Sequence, residues 1–132
     1  MRFFSKTKDG GKDSTVDAYF LFEIKGFISV ALLRFNKGSR NNFHSHAFNA
    51  LTWFIRGDMR EVLLCGQEKK YKRSLLPKIT KKECMHKVVA EEVSWCFTVR
   101  GKWEDKWQEV DPKTGATITL GNGREVLHIK EV

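Results

Sequence analysis

After a polar start, the chain enters two stretches rich in β-branched and aromatic residues, VDAYFLFEIK (16–25) and FISVALLRF (27–35), with Gly26 between them. Such residues suit a pleated, half-buried surface, so both stretches read as strands. NKGSRNN (36–42) is a loop by composition, and FHSHAF (43–48) predicts a short third strand. ALTWFIRG (50–57) is apolar at successive positions, as in a strand covered on both faces. DMREVLLCG (58–66) follows as its hairpin partner. Further strands are expected over 72–80, 85–90, 93–100, 116–120 and 125–129, while KWEDKWQEV (102–110) predicts one short helical turn. Gly66, Pro77, Gly101, Pro112, Gly115 and Gly121-Asn122-Gly123 punctuate these segments. No segment carries a sustained apolar stripe at helical spacing.

Many short strands in close succession define an all-β sandwich or barrel. A length of 132 residues fits one domain. Residues 16–132 are expected to form it, behind a polar lead-in over 1–15. Apolar residues make 41% of the chain, with ten Phe and four Trp, which is enough for a core and excludes global disorder. No apolar run approaches the ~18 residues of a membrane span, and the start lacks the apolar centre of a secretory signal. Cys65, Cys84 and Cys96 stand at unrelated spacings, so neither a disulfide framework nor a four-cysteine zinc site follows. A cytoplasmic protein without a membrane partner is expected.

Charge adds one feature. The net charge is +8, and the window 67–87 holds eight basic side chains against only Glu68 and Glu83. Such a band can attract nucleic acid or another polyanion. No nucleic-acid motif accompanies it, so a solvated outer face is the simpler reading.

The chemistry sits elsewhere. His44 and His46 are two apart, so on a strand both point to one face, and two imidazoles can chelate one metal from an extended backbone. His86, on another expected strand, would supply a third nitrogen. Three imidazoles leave open positions on a metal, as catalytic sites require. Neutral imidazoles suit Fe(II), Zn, Ni or Cu. Cys84 lies two residues before His86 and should share its face, beside the metal or simply in the core. Asn49 either hydrogen-bonds a ligand or a water near the metal, or caps the turn between two strands. On 50–56, one face carries Ala50, Thr52, Phe54 and Arg56. That face should line the cavity and place Arg56 deep in it or at its rim, where a guanidinium suits a carboxylate or phosphate; equally, Arg56 reaches water from the strand end, and Arg34 and Arg100 pose the same choice. Of the remaining candidates, Trp103 and Trp107 could stack a ring, and His128 reads as structural.

Gly57 closes the strand after the histidines, and H44-S-H46-A-F-N-A50-L-T-W-F-I-R-G57 resembles the first motif of the cupin superfamily, H-x-H-x3–4-E-x6-G. Ala50 stands where that motif has its glutamate. The chain is also similar to a group of small bacterial and phage cupins that carry stretches like HDHPWDFWSLILRGGY, PADTLHRV and TLVLTGPRRRSWGF. Here these read HSHAFNALTWFIRGDM, KKECMHKV and CFTVRGKWEDKWQEV, with Phe48 in the Trp position and Asn49 in the Asp position. Trp107 falls in register as a barrel plug.

The resemblance implies a single small antiparallel β-barrel or jelly roll of the cupin type. It implies a divalent metal on His44, His46 and His86, with Fe(II) first and Zn or Ni as options, and with no Asp or Glu reaching the site. Cupins without the glutamate, such as thiol and diketone dioxygenases, use three-histidine iron. This points to a non-haem iron oxygenase acting on a small molecule, an anion among the candidates. The alternatives are a non-catalytic module that binds a small molecule, and a scaffold that binds nucleic acid or a protein through the 67–87 band. Cupins commonly pair through edge strands, so the apolar stretch 16–35 is expected to serve a homodimer.

Overall fold

The computed structural model describes residues 2–9, 14–24, 27–39, 43–71, 73, 75–111, 113–121 and 124–132. The strands are β1 (Arg2–Lys8), β2 (Val16–Ile24), β3 (Ile28–Phe35), β4 (Gly38–Ser39), β5 (Ala50–Arg56), β6 (Met59–Leu63), β7 (Glu68–Tyr71), β8 (Lys78–Thr80), β9 (His86–Ala90), β10 (Ser94–Arg100), β11 (Trp107–Val110), β12 (Thr117–Leu120) and β13 (Val126–Lys130). There is no α-helix among the described residues, so none is long and apolar enough to cross a membrane. One layer is a six-stranded antiparallel sheet in the order β1-β2-β3-β10-β5-β8. A four-stranded sheet, β4-β9-β6-β7, and a three-stranded sheet, β11-β12-β13, form the rest. This is the all-β, antiparallel jelly-roll architecture that the spacing of strands and turns implied.

Period-two burial builds the core. In β10, Ser94, Cys96, Thr98 and Arg100 are buried and alternate with half-buried Trp95, Phe97 and Val99. Ala18, Phe20, Ala31, Leu33 and Cys96 of the large sheet meet Met59 and Ala90 of the four-stranded sheet, with Phe35, Phe54 and Val88 packed around them. The Cys96 thiol is pushed up to about 12 by this burial, so it behaves as an inert core residue.

Several elements differ from the expectation. The lead-in contains β1, which pairs with β2 through Phe3↔Phe22, Ser5↔Phe20 and Thr7↔Ala18. Phe3 and Phe4 are largely exposed, so the backbone ladder rather than side-chain burial holds this strand. Residues 107–110 form β11 rather than a helical turn, because pairing with β12 overrides the local signal. Within 72–80 only β8 is a strand, Lys72 and Ser74 lying outside the described residues; β7 forms just before it. Gly26 and the Asn122-Gly123 part of the last turn also lie outside the described residues. The 16–35 stretch is not at an edge: β2 and β3 are inner strands, and β1 and β8 are the edges.

Gly57 separates β5 from β6 with φ +114, and a Cβ built there would lie 2.6 Å from Cα of Ser94. Ser94 Oγ in turn accepts the Asp58 N–H at 3.1 Å. Gly57→Ala should therefore combine a left-handed backbone with a clash against main chain and cost about 3 kcal/mol or more. Gly66 has φ +92 and open space around it, so Gly66→Ala should cost only about 1 kcal/mol. Urea unfolding of both variants checks the contrast.

Candidate metal centre

Residues 43–46 do not form a strand. His44 is an isolated bridge, paired antiparallel with His86 of β9 on one side and with Glu109 of β11 on the other. The His44 N–H donates to the His86 carbonyl at 2.8 Å, and the His86 N–H returns a bond to His44 at 3.1 Å. On the other side Ser45 N–H reaches the Gln108 carbonyl, and Val110 N–H reaches the Phe43 carbonyl, both at 2.8 Å. The segment thus fills the gap between the two smaller sheets. His46 N–H, one step further, donates to the Lys82 carbonyl at 3.1 Å.

This backbone pairing brings the three histidines together. Ring centroids lie 5.0 Å apart for His44 and His46, 5.1 Å for His44 and His86, and 4.9 Å for His46 and His86. One nitrogen from each ring falls within 4.8 Å of the other two. All three line a cavity of about 380 Å³ between the sheets.

A carboxylate does reach the group, contrary to the expectation. Glu61, on β6, is 3% exposed, and its Oε2 accepts from Nδ1 of His86 at 2.5 Å. Lys78 Nζ donates to the same oxygen, and the Tyr71 hydroxyl donates to Oε1 at 3.3 Å. Burial pushes the Glu61 carboxyl up, but the bonds from His86 and Lys78 outweigh it and hold the group at about 2. With Nδ1 of His86 engaged by Glu61, Nε2 is the ring nitrogen left to face the group's centre.

Two nitrogens here lack partners. Nε2 of His86 and Nδ1 of His46 are buried, with no hydrogen bond among the described residues. A buried polar atom without a partner is costly, and an ion at the centre of the group would satisfy both. Burial, then the neighbouring His44 and His86 rings, hold His46 well below the usual histidine range, so its imidazole is neutral, the form that ligates a metal. The residues therefore fit a divalent metal ion by donor type, convergence and protonation.

The other candidates fall elsewhere. Ala50, Thr52 and Phe54 line the cavity, but Arg56 is exposed and does not. The β10 register shifts between Trp95 and Cys96, so Arg56 pairs with outward-facing Trp95 instead of continuing the inner row. Asn49 is exposed and accepts the Lys82 N–H at 2.8 Å, pinning the turn that His46 also touches. Cys84 is half-buried, outside both the donor group and the cavity lining, and burial followed by the nearby Glu61 charge raises its thiol. Trp107 and Trp103 both line the cavity, and the Trp103 ring packs on Phe48 at 4.9 Å. His128 is exposed on β13.

Glu61 and the inward turn of Lys78 escaped the sequence reading, and for Arg100 the cavity side of the two readings holds. Glu61 stands between Met59 and Leu63 on one strand face, and a lone acid in an inward row was the signal for it. Lys78 belongs to the basic band but turns inward to Glu61. Arg100, 3% exposed, lines the cavity with its guanidinium forked onto Asp9 at 3.1 and 2.6 Å and 4.7 Å from the Phe48 ring centre.

No known protein-family pattern matches the chain, and no curated protein matches it in sequence. Solved structures do. An RmlC-like cupin from Shewanella frigidimarina superposes with a TM-score of 0.57 at 13% identity, covering 75% of this chain and 84% of the other. Ectoine synthase from P. lautus gives a TM-score of 0.58 at 14% identity, covering 73% and 70%. KdgF from Halomonas sp. gives 0.58 at 14% identity, covering 79% and 97%. At these identities the likeness speaks for architecture and not for activity. The chain has the cupin fold, with a three-histidine group inside its barrel.

Proposed function

We propose that His44, His46 and His86 hold one divalent metal ion, and that the protein is a metal-dependent cupin enzyme of the non-haem iron oxygenase kind. The observation that carries this reading is the convergence of three imidazoles in which Nδ1 of His46 and Nε2 of His86 are buried without partners. When bound, Fe(II) would supply the redox and dioxygen chemistry that no side chain can. The protein's own contribution is positional. Glu61 holds the His86 ring through Nδ1. Lys78 and Tyr71 hold Glu61 in turn. Phe48, with its ring 5.4 Å from that of His46, backs the donor group and limits water on that side. Asp9, Glu61 and Glu109 of the cavity are each tied into an ion pair, which disfavours hydrolysis as the reaction.

Three cations of the basic band are engaged with neighbouring side chains. Lys78 faces the cavity, Lys82 is bound to Glu104 at 2.5 Å, and Lys87 lies 5.2 Å over the Phe43 ring. Lys69, Lys70, Arg73 and Lys81 remain exposed.

Two tests follow. In equilibrium dialysis the wild-type protein should take up one equivalent of Fe(II), Zn(II) or Ni(II). His86→Ala should abolish uptake, and Glu61→Gln should weaken it about 10–100-fold while circular dichroism stays unchanged. Unaltered affinity in Glu61→Gln would remove the carboxylate from the centre. Second, iron-loaded protein kept without oxygen should give a half-integer-spin EPR signal with nitric oxide, a dioxygen surrogate. Iron uptake without that signal would mean a closed site and a binding module rather than an oxygenase.

A further inference from the structure

We infer that the cavity takes an apolar, ring-sized molecule carrying a single anionic oxygen head, and that it rejects sugar phosphates and other polyanions. This deepens the metal reading and rests on it. The first observation is electrostatic. Among the described residues, every lysine and arginine lining the cavity is already held by a carboxylate: Lys8 by Asp17 at 2.9 Å, Arg100 by Asp9 at 2.6 Å, Arg124 by Glu109 at 2.8 Å, and Lys78 by Glu61. Away from the histidine end, a phosphate would find a cation only by displacing an acid from one of these pairs, so each anionic group beyond the first goes unmatched. The Glu61 and Glu109 side chains are only 4% and 5% exposed, so the displaced acid would be left charged in a dry interior.

The second observation concerns the walls. Phe20, Leu33, Phe54, Met59 and Val88 present hydrocarbon to the cavity, a poor match for a polyhydroxylated body. A cavity of ~150 Å³ holds one benzene ring, so the volume of about 380 Å³ found here accommodates a two-ring molecule. Among the described residues, the histidine end is where uncompensated positive charge would stand once an ion is bound. Three neutral imidazoles leave a divalent ion its full charge, so a carboxylate, enolate or phenolate gains there without breaking any existing pair.

The test uses zinc, which is redox-silent, and calorimetric titration of the full chain. The probes are 2-naphthoate, 2-naphthyl phosphate and glucose 6-phosphate. 2-Naphthoate should bind zinc-loaded protein at least tenfold more tightly than metal-stripped protein, and at least tenfold more tightly than either phosphate. Leu33→Trp fills the wall with hydrocarbon and should lose naphthoate at least tenfold while still taking up one zinc. If that variant does not fold, Val88→Phe reads the same effect from the opposite sheet. Preference for either phosphate, or zinc-loaded protein that ignores naphthoate, overturns the inference while leaving the metal centre standing. Naphthoate affinity that is unchanged in the filled variants also overturns it. Failure to bind zinc at all overturns the metal reading, and this inference with it.

Discussion

Everything at the centre of this molecule depends on one backbone stitch. Residues 43–46 lie between β9 and β11 and exchange hydrogen bonds with both. That pairing joins the two smaller sheets into one layer opposite the large sheet. It also decides where the histidines go. The cross-strand pair His44↔His86 puts two rings side by side, and the two-residue step to His46 returns a third to the same face. The backbone that closes the barrel is thus also the backbone that gathers the donor set.

Charge management around the centre follows from burial. A cavity that encloses acids and bases must pair them or neutralise them. Glu61 meets this need while serving the site: it accepts from His86 and from Lys78, and burial alone would not leave it ionised. Arg100 is handled by Asp9, which follows β1, so the N-terminal strand is tied to the inner face of β10. The Arg100 guanidinium also lies over the rings of Phe48 and Phe20, which gives a buried cation favourable contacts on both sides of its pair. The interior that results sets apolar walls beside the hydroxyls of Thr52, Thr80 and Thr98, with its charges held in internal pairs.

The His44-His46 pair and the all-β class were legible in the sequence because both depend on short-range rules, while His86 and the cupin type came through the motif resemblance. The spacing of His44 and His46 obeys the two-residue period of extended chain, and turn residues mark most strand ends. The remainder was set by contacts distant in sequence. β1 exposes Phe3 and Phe4, so no burial pattern announces it. β11 carries charged residues beside its tryptophan and becomes a strand only because β12 and residues 43–46 flank it. Arg56 was expected in the cavity row, and a single irregularity opposite Cys96 sends it outward. Glu61 lies fifteen or more residues from every histidine it serves, and only the pairing of β6 with β9 brings it to His86.

The most direct measurement is imidazole-resolved nitrogen NMR of labelled protein titrated with zinc. With one equivalent added, the nitrogens of His44, His46 and His86 should shift together and saturate at the same point. His86 should keep its proton on Nδ1 and respond at Nε2, while His128, exposed on β13, stays unchanged. Fewer than three responding imidazoles, or an equal response from His128, would contradict a shared site built by the stitch between β9 and β11.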